Sequence, residues 1–305
     1  MGDRGPRGPR GPPPHAVLLR VRSLRQQTSQ GQTGKWDFAA WEATSEDVRA
    51  LHICDDTRSA FEELLTVFPS AASVWARYAE LELGSNGNIE SAKAIFGRCL
   101  LSCPVVELHS QYLKLIKRSN DSHGASGLEV VRQAYEFSLD AVGQDITAGQ
   151  LWQDYITFLL APKPGTDGFN ALFPGALEGQ EEAARTPAIR TAYHRACVVP
   201  CHMVEGIWRG YEAWENKVDK QLGRKMLDEW RPRFQAARNV LRDRRKRAEA
   251  LTLYALPFPP GKGGPAQAEQ VQLWRSYLEF EKSNPQQLEA ESLILAARVA
   301  LAYSQ

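Results

Sequence analysis

A tryptophan, a tyrosine and a glutamate recur at one spacing along this chain, and that recurrence strongly constrains its fold. Tyrosine follows tryptophan by three residues and glutamate follows it by seven, in the stretches WARYAELE, WRGYEAWE and WRSYLEFE. Residues three and seven apart lie on one face of an α-helix, so each set forms a single stripe. The sets are Trp75, Tyr78 and Glu82, then Trp208, Tyr211 and Glu215, then Trp274, Tyr277 and Glu281.

The intervals between these stripes predict a repeat of helical hairpins. The step from Trp41 to Trp75 is 34 residues, and the next step of 34 reaches His109, which replaces tryptophan. Trp152 and Tyr155 open a further unit, and later intervals lengthen through insertions at 161–180 and 257–267. A period in the thirties with two helices per unit is typical of hairpin repeats, which bury their apolar faces by stacking on neighbours.

The rest of the pattern is also helical. After Trp36, apolar residues recur at helical spacing, and prolines fall between the apolar segments at Pro69, Pro104 and Pro200. No stretch alternates polar and apolar residues long enough to indicate a sheet. We therefore predict an all-α protein, a helical-hairpin repeat solenoid over residues 36–305 with about five to six hairpins.

Each member of the stripe has a packing role. Tryptophan offers a large apolar area between the helices of its hairpin, and tyrosine packs beside it with its hydroxyl free to hydrogen-bond. A carboxylate that faces a helix interface needs a partner. We expect that partner to be a tyrosine hydroxyl or an arginine of the second helix, such as Arg98. These roles are structural, and no residue here is predicted to be catalytic.

The segment before the repeat has a different composition. Residues 1–35 are rich in Gly, Pro, Arg and small polar residues, which predicts a disordered basic tail. The stretch HAVLLRVRSLR within it is amphipathic, so an organellar transit peptide is the alternative.

Bulk composition argues against a membrane-spanning protein, and the net charge gives no reason to expect nucleic acid or a membrane surface as a partner. Net charge is +1, and no apolar run has the length of a membrane span. Five cysteines do not suggest a disulfide framework, and they lack the paired spacing of a zinc site, so we expect them to be buried and reduced. GKGG at 261–264 is not a phosphate-binding loop and is expected to be a flexible connection. We predict no cofactor.

One stretch is strongly basic. RDRRKR at 242–247 leaves three interpretations open: a solvated helix end, a nuclear import signal, or a contact with RNA phosphates. No aromatic residues interleave with these side chains, which argues against stacking on single-stranded bases. The candidate residues are Arg242, Arg244, Arg245, Lys246 and Arg247.

These motifs resemble a known repeat. A first helix with W-x2-Y-x3-E and a second helix ending at a proline is similar to the HAT (half-a-TPR) repeat. AIFGRCL, AYEFSLDAVGQDI, QLWQDYITFL and VQLWRSYLEFEKSNP look like the N-terminal HAT domain of the suppressor-of-forked family. That family includes the HAT-repeat scaffold subunit of cleavage stimulation factor. The resemblance runs from about Trp36 to Gln305, with departures at His109, Ile116 and Leu159.

The resemblance implies a non-catalytic scaffold for cleavage and polyadenylation of mRNA in the nucleus. Its expected partners are other subunits of that machinery: an RNA-recognition-motif subunit, a WD-repeat subunit and the cleavage factor. Scaffolds of splicing or ribosomal RNA processing, and direct RNA binding, are the alternatives. In the family, the homodimer interface belongs to a further HAT domain. We therefore expect a last hairpin that is cut short, and the resemblance leaves open whether this chain dimerises.

Overall fold

The computed structural model of the chain describes residues 11–29, 36–85, 87–252, 256, 258, 265–289 and 292–305. These residues form helices joined by turns and contain no strand, which confirms the all-α prediction. Within the same residues, no helix has the length and apolar character that crossing a lipid bilayer requires. The loop predicted at 261–264 lies outside the described residues.

The helices belong to two compact units. The first contains the described residues up to Cys103 and those of Thr252–Gln270, and the second contains Pro104–Leu251 and the described residues from Val271 onward. In the first unit, α1 packs on α2 and α3, and α4 packs on α5 and on the preceding pair. Its helices are α1 (Pro14–Thr28), α2 (Phe38–Ala50), α3 (Asp55–Val67), α4 (Ala72–Ser85) and α5 (Ile89–Cys99).

The second unit continues the hairpin pattern. Helix α6 pairs with α7, α8 with α10, and α11 with α12, while the short α9 in the first insertion packs on α7. Helix α13 begins in the first unit and lies in the second from Val271 onward. The remaining bounds are α6 (Val106–Asn120), α7 (Gly124–Val142), α8 (Gly149–Leu160), α9 (Asp167–Leu172), α10 (Glu181–Cys197), α11 (Val204–Val218), α12 (Lys220–Ala248), α13 (Pro265–Lys282) and α14 (Leu293–Ser304).

The repeated tryptophans stand near the start of the first helix in most hairpins. Trp41, Trp75 and Trp152 are each the fourth residue of their helix, and His109 has the same place in α6. The aromatic residue that starts each stripe therefore has the same position in these four helices. The second helices that follow are α3, α5, α7, α10, α12 and α14.

The expectation of disorder over residues 1–35 is wrong for α1. Pro14 starts this helix at a position where the missing amide hydrogen costs nothing, and four apolar side chains then face α2 and α3. Arginines flank this buried face, and of these Arg20 bonds Asp47 of α2 and Arg25 bonds Glu63 of α3. The buried residues are Val17, Leu18, Val21 and Leu24. Residues 1–10 and 30–35 lie outside the described part.

If α1 belongs to the folded unit, one buried charge in it should unfold that unit. Val21 is 0% exposed and Leu19 on the same helix is 51% exposed. We predict that Val21→Asp lowers the free energy of unfolding by about 3–5 kcal/mol, the cost of an unpaired buried charge. Urea denaturation followed by circular dichroism measures the change. Leu19→Asp is the matched control, and equal stability of both variants would show that α1 does not contribute.

Candidate functional site

The tryptophan stripes are buried and tied to the loops that precede them. Trp75 and Trp152 are 4% and 1% exposed, and their indole Nε1 atoms donate to Pro69 O at 2.8 Å and Gly143 O at 2.9 Å. Trp208 stacks on Phe234 of its own hairpin, with ring centroids 4.6 Å apart. Trp274 is partly exposed. Trp75 and Trp152 therefore tie the start of their helices to the preceding loops.

The glutamates of the stripes join one hairpin to the previous one. Glu82, Glu215 and Glu281 are at most 3% exposed. Each accepts from an arginine on the second helix of the preceding hairpin. The pairs are Arg58 Nε–Glu82 at 2.6 Å, Arg190 Nε–Glu215 at 2.6 Å and Arg244 Nε–Glu281 at 2.7 Å.

The expected partner Arg98 is wrong for Glu82. Arg98 instead donates through both terminal nitrogens to Glu62, at 2.8 Å each, and its guanidinium lies 4.9 Å from the centre of Trp75. Glu62 lies on α3 and Arg98 on α5, so this pair joins the second helices of two successive hairpins. The sequence does not show which neighbouring helix an arginine faces.

The arginines that bind Glu82 and Glu215 can be recognised in the sequence by their distance from an aromatic residue. A basic residue stands three positions before the aromatic of the second helix, one turn earlier on the same face. Where the next first helix lacks the glutamate, this residue turns to an acid in its own helix: Lys93 bonds Glu90 at 3.0 Å and Arg132 bonds Glu129 at 2.7 Å. The basic–aromatic pairs are Arg58 and Phe61, Lys93 and Phe96, Arg132 and Tyr135, and Arg190 and Tyr193.

The stripe tyrosines stack on those aromatics. Tyr78 lies on Phe61 with centroids 4.9 Å apart, and Tyr155 lies 5.3 Å from Tyr135. The Tyr155 hydroxyl donates to Glu136, a carboxylate that Arg195 also binds at 2.5 Å. Burial, together with nearby carboxylates, raises the pKa of Tyr78 to about 12. The hydroxyls of Tyr78 and Tyr155, whose pKa values are both raised, therefore stay protonated at physiological pH and can donate hydrogen bonds.

The joint between α10 and α11 has a histidine at the position that a glutamate occupies in the α3–α4 and α7–α8 joints. His194 follows Tyr193 as Glu62 follows Phe61, and its Nε2 lies 2.8 Å from the Tyr211 hydroxyl. Burial lowers the pKa of His194 to about 4, with the nearby charge of Arg190 acting in the same direction. The imidazole is therefore neutral at pH 7. The Tyr211 ring lies 5.2 Å from Tyr193.

Four of the five cysteines are buried and unreactive. Cys99, Cys103, Cys197 and Cys201 are buried and all cysteines are free, and burial raises the pKa of the Cys99 thiol to about 12. A thiol with such a pKa is inert at neutral pH. Within the part of the chain that the structure describes, no group of three or more His, Cys, Asp or Glu residues could hold a metal ion. The recurring contacts of these joints hold successive hairpins together.

The same residues are recognised by a family model. The model described as suppressor of forked protein matches residues 22–305, beginning inside α1 and including every tryptophan stripe. The chain belongs to the suppressor of forked family.

Curated members of the suppressor of forked family extend well beyond the matched region. Cleavage stimulation factor subunit 77 of Arabidopsis thaliana is 38% identical over 259 residues, which cover 84% of this chain and 33% of that protein. The mRNA 3′-end-processing protein rna-14 of Neurospora crassa is 34% identical, over 81% of this chain and 21% of its own. Protein suppressor of forked of Drosophila melanogaster is 29% identical, over 88% and 33%. The chain thus spans a third or less of these relatives.

A solved structure shows the same fold. The crystal structure of CstF-77 superposes with a TM-score of 0.55, covering 77% of this chain and 43% of that one at 18% identity. This likeness confirms the fold class, an all-α HAT-type helical-hairpin repeat.

Within this suppressor of forked chain, the basic stretch divides into buried and exposed residues. The interpretation of Arg244 as a nucleic-acid or import residue is wrong, because it is 1% exposed. Its guanidinium bonds Glu281, the Tyr277 hydroxyl at 3.2 Å, Pro200 O at 3.0 Å and Gln144 O at 2.8 Å.

The other basic residues of the stretch are closer to solvent. The Arg242 side chain is 91% exposed, and Arg245 and Lys246 are also exposed. Arg245 donates to His202 Nδ1 at 3.3 Å, and Arg247 lies 4.3 Å from the centre of the Phe280 ring. Only Arg242, Arg245 and Lys246 therefore keep the character of a surface that could meet an anion.

The buried pair of Arg190 and Glu215 should behave asymmetrically. Glu215 is 0% and Arg190 19% exposed, so Arg190→Met strands a carboxylate with no access to water, while Glu215→Leu leaves an arginine that can reach it. We predict a loss of about 3–5 kcal/mol in unfolding free energy for Arg190→Met and a smaller loss for Glu215→Leu.

The double variant should be more stable than Arg190→Met alone, since Leu159 already occupies the corresponding position in another hairpin. Urea denaturation measures this cycle. Arg238→Met is the control, because its pair with Glu205 is also 2.6 Å long but exposed, and is worth about 0–1 kcal/mol. Additive losses in the double variant would contradict a coupled buried pair.

Because Arg244 is buried and its basic neighbours are exposed, their substitutions should affect stability differently. Arg244→Ala leaves buried Glu281 without its main partner and should lower unfolding free energy by about 3–5 kcal/mol. The triple variant Arg242→Ala, Arg245→Ala, Lys246→Ala should unfold at the same urea concentration as the wild type. Circular dichroism during a urea titration compares the two. A comparable loss in both variants would mean that the exposed side chains also support the fold.

Proposed function

We propose that this chain is a non-catalytic scaffold in mRNA 3′-end processing that acts in the nucleus. The observation that carries the proposal is the family match over residues 22–305, on a chain whose hairpins form the same repeat fold. Relatives across that region are named as cleavage stimulation factor 77 and mRNA 3′-end-processing proteins. The partners we propose are other subunits of the cleavage and polyadenylation machinery.

The mechanism is the presentation of a rigid surface. Stacked hairpins bury their apolar faces against one another and leave the outer helix faces free for partners. Buried pairs such as Arg58–Glu82 and Arg190–Glu215 fix each hairpin against the previous one. Side chains that contact a partner are then held at set positions, which lowers the entropy lost on binding.

A second candidate function is direct contact with RNA. The observation that favours it is the exposure of Arg242, Arg245 and Lys246 at one end of α12. Such a contact neutralises phosphates, so its affinity falls steeply with salt. Binding of a labelled oligouridylate, measured at two salt concentrations, should then weaken in the triple alanine variant. Unchanged binding in that variant would exclude this surface.

Affinity purification from nuclear extract tests the main proposal. The tagged chain should capture polyadenylation specificity and cleavage stimulation subunits, identified by mass spectrometry, after nuclease treatment. Arg244→Ala provides the control for dependence on the folded repeat, and the triple alanine variant provides the control for RNA. Recovery of spliceosomal or pre-ribosomal proteins in place of these subunits would contradict the assignment to 3′-end processing.

A further inference from the structure

A cleft in the second unit lies between α10, α12 and the chain that leads into α14. Its volume is about 680 Å³, within the range of roughly 300–1,000 Å³ that is usual for ligand pockets. Six of the fourteen lining residues are apolar, and the other eight are polar or charged. The apolar lining residues are Val198, Trp230, Pro232, Ala236, Leu288 and Ile294.

The aromatic group in this cleft is already covered. The His194 ring stacks on Trp230 with centroids 3.7 Å apart, and the Arg233 guanidinium lies 4.4 Å from the centre of the same indole. Nucleobases bind proteins chiefly by stacking on open aromatic faces. The space that remains is bordered by aliphatic groups and suits an aliphatic side chain.

Gln286 holds one wall of the cleft in place. It is 6% exposed, and its Nε2 donates to Val198 O at 2.9 Å. Its Oε1 is buried and has no hydrogen-bond partner among the described residues. The bond to Val198 ties the turn before α14 to the end of α10.

The neighbouring backbone is held in an uncommon conformation. Gln287, which also lines the cleft, has φ of 54°. The Asn284 side chain fixes this turn, because its Oδ1 accepts from Leu288 N at 2.9 Å and its Nδ2 donates to Leu288 O at 2.7 Å. Strained backbone of this kind is concentrated at binding sites.

The cleft also carries a positive charge that pairs with no described carboxylate. Arg195 is bound to Glu136 and to Asp140 at 2.9 Å. Arg233 is exposed and forms no ion pair among the described residues, Glu289 of the same lining included. With burial and Arg190, Arg233 helps to lower the pKa of His194, so the imidazole adds no second charge. An acidic group that enters from solvent can reach the exposed guanidinium of Arg233.

We propose that this cleft binds a short peptide segment of a partner protein in which an aliphatic residue adjoins Asp or Glu. The aliphatic side chain fills the apolar space, and the carboxylate pairs with Arg233. The inference rests on the proposed scaffold function and names the chemistry of one partner contact.

Selection from a displayed library of random twelve-residue peptides tests the site on the full chain. The wild type should enrich sequences that place Leu, Ile or Met beside an acid. Ala236→Trp fills the cleft and should abolish enrichment, and Arg233→Glu should abolish the preference for acids. Arg224→Glu is the matched control, since this exposed arginine lies on α12 outside the cleft. Circular dichroism confirms that each variant is folded.

Fluorescence anisotropy with the most enriched peptide then gives the size of the effect. Arg233→Glu should weaken binding at least about tenfold, corresponding to the loss of one charged contact, while Arg224→Glu stays within about twofold. Failure to enrich any motif, enrichment of basic peptides, or equal loss in both arginine variants would overturn the proposal. Oligouridylate binding that depends on Arg233 would assign the cleft to nucleic acid.

The two proposals fail in distinguishable ways. If Ala236→Trp still captures the 3′-end-processing subunits and the wild type enriches no peptide, the cleft inference fails and the scaffold function stands. If peptides bind as predicted but nuclear extract yields splicing factors, the cleft stands and the assignment to 3′-end processing fails.

Discussion

The structure depends on ion pairs in which a glutamate buried between two hairpins binds an arginine of the preceding hairpin. Removing a carboxylate from water costs several kcal/mol, and the cost is offset only where a cation meets it with good geometry. In this chain the cation comes from the preceding hairpin, as in Arg58–Glu82 and Arg190–Glu215. A hairpin that shifted along its neighbour would leave the carboxylate buried and unpaired. The pair therefore fixes the relative position of hairpins more than it adds to net stability.

The joints also show which part of this arrangement can vary. Leu159 replaces the glutamate, and Arg132 then binds Glu129 within its own helix. The Tyr135–Tyr155 contact is kept in that joint, just as Tyr193 contacts Tyr211 where the ion pair is present. Aromatic packing is thus common to these joints. In some of them an ion pair also fixes the position of one hairpin on the next.

The periodic tryptophans were enough to predict the helical hairpins, because burial at a fixed period leaves a direct mark on sequence. Helix α1 was missed because its eleven-residue amphipathic stretch lies within Gly- and Pro-rich composition. The role of Arg244 was missed because a run of charge hides which residue faces inward. The helical spacing of α12 does indicate which residue is buried, because Arg244 continues the buried face formed by Phe234, Ala237 and Val240.

The partners of the stripe glutamates could not be predicted in the same way. A sequence shows which residues share a face of one helix, but an inner helix of a repeat has neighbours on both sides. Arg98 and Arg58 both lie on second helices, yet only Arg58 reaches Glu82. Choosing between them requires the stacking direction of the hairpins, which is a property of the tertiary structure.

The joint beside the cleft in the second unit departs from the repeat. Glu62 and Glu136 each bind an arginine on the second helix of the next hairpin. The corresponding residue of α10 is His194, which is neutral and stacks on Trp230 of α12. Arg233 lies beside the same indole and forms no ion pair among the described residues. The ion pair that joins successive second helices elsewhere is therefore replaced at this position by an aromatic contact.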